Sequence, residues 1–230
     1  YYLLQPLSNQ KAIQERQDAL SIYLQQLQFI ESMKITNGTT LVIEKFFGTA
    51  FKAIPTQISY PGAYWYQYIN ASDYALIKYS LEHLMLFYEN LNKWLLVFEN
   101  KNQNPIIASL VQNIKKLVQH PALTNIHTQT SLTNPQKLLS LAYFFRNHYK
   151  NNTLQLLQYF YELDAYYSMA MAAKKFNFVF PTWLNSETPQ LEVIAAIHPL
   201  VPNPIDNTIS LSSQTNLFFL TGANMAGKST

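Results

Sequence analysis

Gly222, Ala223, Asn224, Met225, Ala226, Gly227, Lys228, Ser229 and Thr230 spell Gly-x-x-x-x-Gly-Lys-Ser with a Thr behind it. These residue types at this spacing make a loop that wraps a phosphate chain. A nucleoside triphosphate spreads its charge over many oxygens, so its cradle needs many donors converging on them. Glycine lets the backbone bend tightly enough for successive N–H groups to point inward. Lys228 is expected to bring a mobile cation to the β- and γ-phosphates. Ser229 is expected to give a hydroxyl ligand to the Mg²⁺ that bridges them, the only metal role read from the chain. A helix starting at the end of the loop would set its positive dipole end against the same phosphates. The chain has five Gly residues, and two of them occupy the two required positions.

Such a loop must be held by a strand. Leu217–Leu220 reads as a buried strand leading straight into it, and Leu191–Ile197 and Thr208–Leu211 read as two more. Pro recurs through this stretch, at 181, 189, 199, 202 and 204. Upstream the pattern is helical. Ser8 is expected to cap a helix running to Ile35, stopped by Thr36-Asn37-Gly38. Residues 39–70 are ambiguous, with Thr40–Ile43 either a short strand or a helical turn. A long helix is expected over Ser72–Asn100, with Leu76, Ser80, Leu84, Phe87, Leu91, Leu95 and Phe98 on one face. Asn104-Pro105 and Asn134-Pro135 each put a capping residue before a Pro at the first helical position, opening helices to about Gln119 and Lys150. Asn152-Thr153 is expected to start the last helix, to about Phe176. The fold class is therefore mainly α: a helical bundle over residues 1–160, then the first strands of an α/β domain over 161–230.

At 230 residues the chain has room for about 1.5 domains. It is 48% hydrophobic, enough for a sizeable core and against general disorder. Charged residues are 13%, about half the usual share of roughly 25%, and Asn and Gln fill the gap. A net charge of +3 is too small to argue nucleic-acid binding from charge alone. With no Cys there is no disulfide framework and no thiolate metal site. No apolar run is long enough for a transmembrane helix, and the opening Tyr1-Tyr2-Leu3-Leu4 lacks the features of a signal peptide. An excised piece of a larger cytoplasmic protein is the expectation.

The residues inside the loop say more than its class. Thr221 through Thr230, with Asn224-Met225 ahead of the second Gly, resembles the phosphate-binding loop of the MutS family, DNA mismatch-repair ATPases built on an ABC-type nucleotide-binding fold. Three further stretches agree in order. Leu4-Gln5-Pro6-Leu7 with Ile13, Arg16, Asp18, Ala19 and Leu20 is similar to the opening of that family's core-and-lever helices. Leu163-Asp164-Ala165, Ser168-Met169-Ala170 and Phe180-Pro181 resemble the segment leading into its ATPase domain. His198-Pro199-Leu200 and Asn207-Thr208-Ile209 resemble the elements before the loop. The resemblance implies ATP and Mg²⁺ as cofactors and mismatched or branched DNA as partner. It also implies a homodimer in which each site is completed by the other subunit, and no membrane. The parent would be an ATPase whose ATP cycle moves lever helices engaged on DNA. The chain by itself, without an acidic strand beyond the loop, is expected neither to hydrolyse ATP nor to bind nucleotide appreciably.

The chain departs from the family in its middle. Mismatch-repair relatives insert a strand-rich DNA clamp between the lever helices, whereas residues 72–150 read as helix after helix. Two alternatives follow: a clampless paralogue acting on recombination intermediates or ribosomes, and an unrelated phosphate-loop NTPase with a helical attachment. Phe87-Tyr88-Glu89 and Phe160-Tyr161-Glu162 match the letters of the family's mismatch-reading motif, but both lie in helical patterns, so core packing is expected. Pro204 and Ile205 stand where relatives place a side chain against adenine. The histidines 83, 120, 127, 148 and 198 show no metal-ligand spacing, and His198 is expected in a structural turn. Lys115-Lys116 and Lys174-Lys175 are expected on solvated helix faces. Tyr64-Trp65-Tyr66 with Tyr68 lacks interleaved cations and is expected to be a packing cluster, not a base-stacking platform. The residues that would touch DNA are not identified.

Overall fold

The computed structural model describes residues 5–33, 35–54, 58–101, 103–123, 130–184 and 186–219. The chain divides into two compact units, Tyr1–Lys175 and Phe176–Thr230. Among the described residues, the elements of the first are all helices, and the second holds a two-stranded antiparallel sheet. The mainly α class expected from the sequence is what forms. The division comes fifteen residues after the expected 160, which falls inside an unbroken helix, Lys150–Phe176.

Helix α1 (Gln10–Gln25) is capped by Asn9, whose Oδ1 accepts the Ala12 N–H at 3.1 Å, and not by Ser8. The expected run to Ile35 breaks at Gln26, whose N–H turns back to Tyr23 O, and resumes as α2 (Leu27–Ser32). Thr36-Asn37-Gly38, read as a stop, is a start. The Thr36 hydroxyl accepts the Thr39 N–H and the Thr39 hydroxyl accepts the Thr36 N–H, a reciprocal cap that opens α3 (Asn37–Gly48). The Thr40–Ile43 ambiguity is settled as helix. Ser59 caps α4 (Tyr60–Ile69) by accepting the Gly62 N–H. Gly62 keeps that cap uncrowded, because a Cβ would stand 3.0 Å from the Ser59 hydroxyl.

Helix α5 (Ala71–Phe98) is the axis of the unit and packs against α3, α4, α6 (Pro105–Val118) and α8 (Pro135–Asn147). Ile77, Leu81, Leu84, Phe87, Leu91 and Phe98 are fully inaccessible. Leu76, expected on the buried face, is 45% exposed, because burial spreads over two sides of α5 and leaves that position outside both. The two Asn-Pro starts form as expected. Asn104 Oδ1 accepts the Ile106 and Ile107 amides, and Asn134 Oδ1 accepts those of Gln136 and Lys137. A short turn, α7 (Thr130–Thr133), precedes α8.

The last helix, α9 (Lys150–Phe176), begins ahead of the expected Asn152-Thr153. Thr153 is therefore interior and fully buried. Its hydroxyl donates to Tyr149 O at 3.0 Å and lies 3.0 Å from Tyr88 Oη, while Tyr149 Oη donates to Leu117 O at 2.7 Å. Rings complete the attachment of α9: Tyr23 stacks on Tyr166 at 5.5 Å and Phe87 meets Phe160 edge-on at 5.6 Å. Arg146 closes the far end of α3. It donates to Phe46 O and, at 2.9 Å, to Thr49 O, and its guanidinium lies 4.7 Å from the Phe51 ring centroid. Those carbonyls have no partner within the helix, so the cation satisfies them and the helix dipole together.

In the second unit, β1 (Leu191–Ala196) pairs antiparallel with β2 (Asn207–Leu211), with Leu191 opposite Leu211 and Val193 opposite Ile209. The ladder slips between Val193 and Ala196. Ala195 there has a φ of 53°, and its amide, turned off the ladder, donates to the Thr208 hydroxyl at 3.2 Å.

Candidate functional site

Gly222, Ala223, Asn224, Met225, Ala226, Gly227, Lys228, Ser229 and Thr230 lie outside the described residues, and so does Leu220. The approach to them is described as far as Phe219. Leu217, Phe218 and Phe219 join no strand, and Phe219 is 83% exposed. This corrects the expected buried strand. Among the described residues, β1 and β2 pair only with each other, so the three apolar side chains have no ladder to extend and no face to pack on.

The elements upstream form as tight local structure. His198 Nδ1 accepts the Leu200 N–H at 3.3 Å and His198 O accepts the Val201 N–H at 3.2 Å, so His198 shapes a turn as expected. Asn203 takes a left-handed φ of 51° just before Pro204, and Ile205 points an uncovered aliphatic chain to solvent. None of the described residues of this unit is buried.

The two Phe-x-Glu matches fall in helices and share one contact. Phe87 is fully buried on α5, and Phe160 of α9 packs against its edge. Glu89 pairs with Lys93 one turn on, at 2.7 Å. Glu162 and Asp164, on the α9 stretch resembling the lead-in to an ATPase domain, both have pKa values raised by burial. Lys115 is bound to Glu99, and Lys115, Lys116, Lys174 and Lys175 are all exposed. Among the described residues no group of His, Asp and Glu could hold a metal ion, and no helix is long and apolar enough to cross a membrane.

The aromatic run on α4 divides by helical period. Tyr66 turns inward and donates to Lys52 O at 3.0 Å. Tyr64, Trp65 and Tyr68 are exposed, with Tyr68 at 81%. The expected packing cluster is thus one packed ring among three outward ones. Arg146 has only a weak signature in the sequence, a lone Arg on an otherwise weakly charged helix.

Comparison with known proteins gives a partial match. The chain is 41% identical over 76 residues to the DNA mismatch repair protein MutS of Alkaliphilus oremlandii (strain OhILAs). It is 39% identical over 75 residues to MutS of Staphylococcus saprophyticus and 37% over 75 residues to MutS of Staphylococcus aureus (strain JH9). Each match takes in 30% of this chain and only 8% of the relative. No protein-family model matches the chain, and no solved structure matches it. The chain therefore carries a MutS-like segment.

Proposed function

We propose that this chain is part of a MutS-like, ATP-dependent DNA-binding protein of mismatch repair. Residues 1–160 serve as the lever and core helices, and residues 161–230 as the opening of the ATPase domain. The observation that carries the reading is the Gly222-to-Ser229 pattern in a chain with a MutS-like segment. In it, the loop amides and Lys228 bind the phosphates of ATP and Ser229 holds the Mg²⁺ that accompanies them. When bound, the nucleotide supplies the energy-rich phosphate bond whose hydrolysis resets the helices.

Two features of the fold support this. The first unit is a bundle of helices around α5, the architecture the resemblance implies for levers. The second unit leaves Ile194, Leu200, Ile205 and Phe219 in solvent. A two-stranded sheet is marginal alone, and uncovered apolar residues in such density mark a surface that further strands and helices cover. An α/β ATPase domain is such a cover.

A second reading has its own observation. Between Asn37 and Phe176 the described residues form helices and turns with no strand, so they hold no strand-rich DNA clamp. That favours a clampless relative acting on recombination intermediates or ribosomes. Gel shifts of the natural-length protein on mismatched, branched and perfect duplexes, at stated salt and with and without ATP–Mg²⁺, separate the readings. Preference for the mismatch is expected. Preference for the branch shifts the assignment to the second reading, and equal weak binding to all three overturns mismatch repair and the recombination form of the second reading alike.

A further inference from the structure

The residues of Phe160-Tyr161-Glu162 part company in the fold. Phe160 meets Phe87, and the Tyr161 hydroxyl donates to the Glu44 carboxylate at 2.7 Å. Glu162 turns elsewhere. With Tyr159, one turn back on α9, it forms one wall of a groove of about 300 Å³. The first turns of α6 form the other wall. Pro105, Ile106 and Leu110 give it apolar surface, and Ser109 and Asn113 give it polar edges.

Glu162 is half-buried, and it belongs to none of the ion pairs among the described residues, Lys11–Glu15, Lys93–Glu89 and Lys115–Glu99. Burial raises its pKa, with no cation or hydrogen bond to offset the shift. A carboxylate drawn out of water without a partner is costly. Capping α6 does not explain it, because Asn104 Oδ1 already accepts the Ile106 and Ile107 amides. Across the groove, Asn113 Nδ2 donates to Ser109 Oγ at 3.4 Å, which leaves the Asn113 amide oxygen as a second acceptor.

Acceptors set against apolar walls select the ligand. A free anion is repelled by the carboxylate, and among the described residues no group of His, Asp and Glu could hold a metal ion. What matches is an organic cation on a short aliphatic stem. The stem covers Ile106 and Leu110, and an ammonium has three donors that can turn to acceptors on both helices. A guanidinium fixes its donors in one plane and lacks that freedom. The groove is at the small end of ligand clefts, which span roughly 300–1,000 Å³.

We propose that the groove between α6 and α9 binds a short-chain alkylammonium, its nitrogen donating to the Glu162 carboxylate and the Asn113 amide oxygen and its chain lying on Ile106 and Leu110. The site lies wholly within the first unit and does not depend on the phosphate loop.

The test is a titration of the protein at its natural length with n-butylammonium chloride, read by NMR at the Ile106 and Leu110 methyl groups. Saturable shifts are expected, with none from n-butanol, the neutral molecule of the same shape. Glu162→Gln is expected to weaken binding roughly tenfold. The same variant should unfold at an unchanged or higher urea concentration, since it removes an unpaired, half-buried charge. The proposal is overturned by unsaturable shifts, by equal shifts from n-butanol, by undiminished binding in Glu162→Gln, or by tighter binding of n-butylguanidinium. A clear loss of stability in Glu162→Gln would make Glu162 a group that holds the fold and would overturn it too.

Discussion

The two units use their apolar residues in opposite ways. In the first, Trp94, Phe98, Tyr23 and Phe87 interlock behind polar helix faces, and buried hydroxyls on Tyr88 and Thr153 find partners. In the second, Leu191, Ile194, Leu200 and Phe219 face water around a bare pair of strands. Helices satisfy their backbone internally and need only one another's stripes to bury. Strands export half their hydrogen bonding to neighbours, so a strand pair without further strands or a covering helix has no inside. The difference teaches that the helices bury their apolar residues against one another, whereas the strand pair leaves its own uncovered.

The comparison breaks most decisively at the core. Trp94→Ala is expected to cost ~3–5 kcal/mol in urea unfolding, whereas Ile194→Ala stays within about 0.5 kcal/mol. An equal loss at both positions would mean that the second unit has a core of its own. Next in size is Arg146→Ala, which strips two charge-assisted hydrogen bonds from the end of α3 and is expected to cost about 2–3 kcal/mol by the same measurement. Arg146→Lys recovers little of it, since an ammonium cannot fork to both carbonyls.

Smaller again is the Tyr88–Thr153 pair. Thr153→Val leaves Tyr88 Oη buried and unpaired, so it should destabilise by more than the double variant with Tyr88→Phe, and a double-mutant cycle measures the coupling at about 1 kcal/mol. An additive cycle would deny the bond. The smallest effect is alkaline. Burial first, and then the hydrogen bond to the Glu44 carboxylate, push the Tyr161 hydroxyl up from 10.0 to about 12. The folded state thus keeps a proton the unfolded chain releases, so this stabilisation is whole below pH 10.0 and fades as pH rises through about 12. The urea midpoint of the unsubstituted protein should fall faster over that range than that of Tyr161→Phe; parallel slopes would remove Tyr161 from the account.

Helices announced themselves where the cue was local. Asn104-Pro105 and Asn134-Pro135 act within one turn, and the periodic stripe on α6 needs no knowledge of its partner. Misreadings arose where one residue type serves two ends. Thr36-Asn37-Gly38 suits a stop or a start, and only the reciprocal threonine bonds decide it. Thr153 looks like a cap until the helix begins earlier and turns its hydroxyl toward Tyr88. Leu217-Phe218-Phe219 has the composition of a buried strand, but burial belongs to what lies against it, and no short-range pattern carries that. The Gly222-to-Ser229 pattern, by contrast, is contiguous, so the phosphate loop proposed for it is an expectation that needs no long-range contact to be read.

That loop is where the account is most exposed. The direct measurement is equilibrium binding of ATP–Mg²⁺ to the protein at its natural length, beside Lys228→Ala and a control, Lys116→Ala, on an exposed helix face of the first unit. The proposed phosphate contact of Lys228 predicts that Lys228→Ala weakens binding roughly ten- to a hundredfold while the control binds normally. Undiminished binding by Lys228→Ala, or none by the unsubstituted protein, would contradict it.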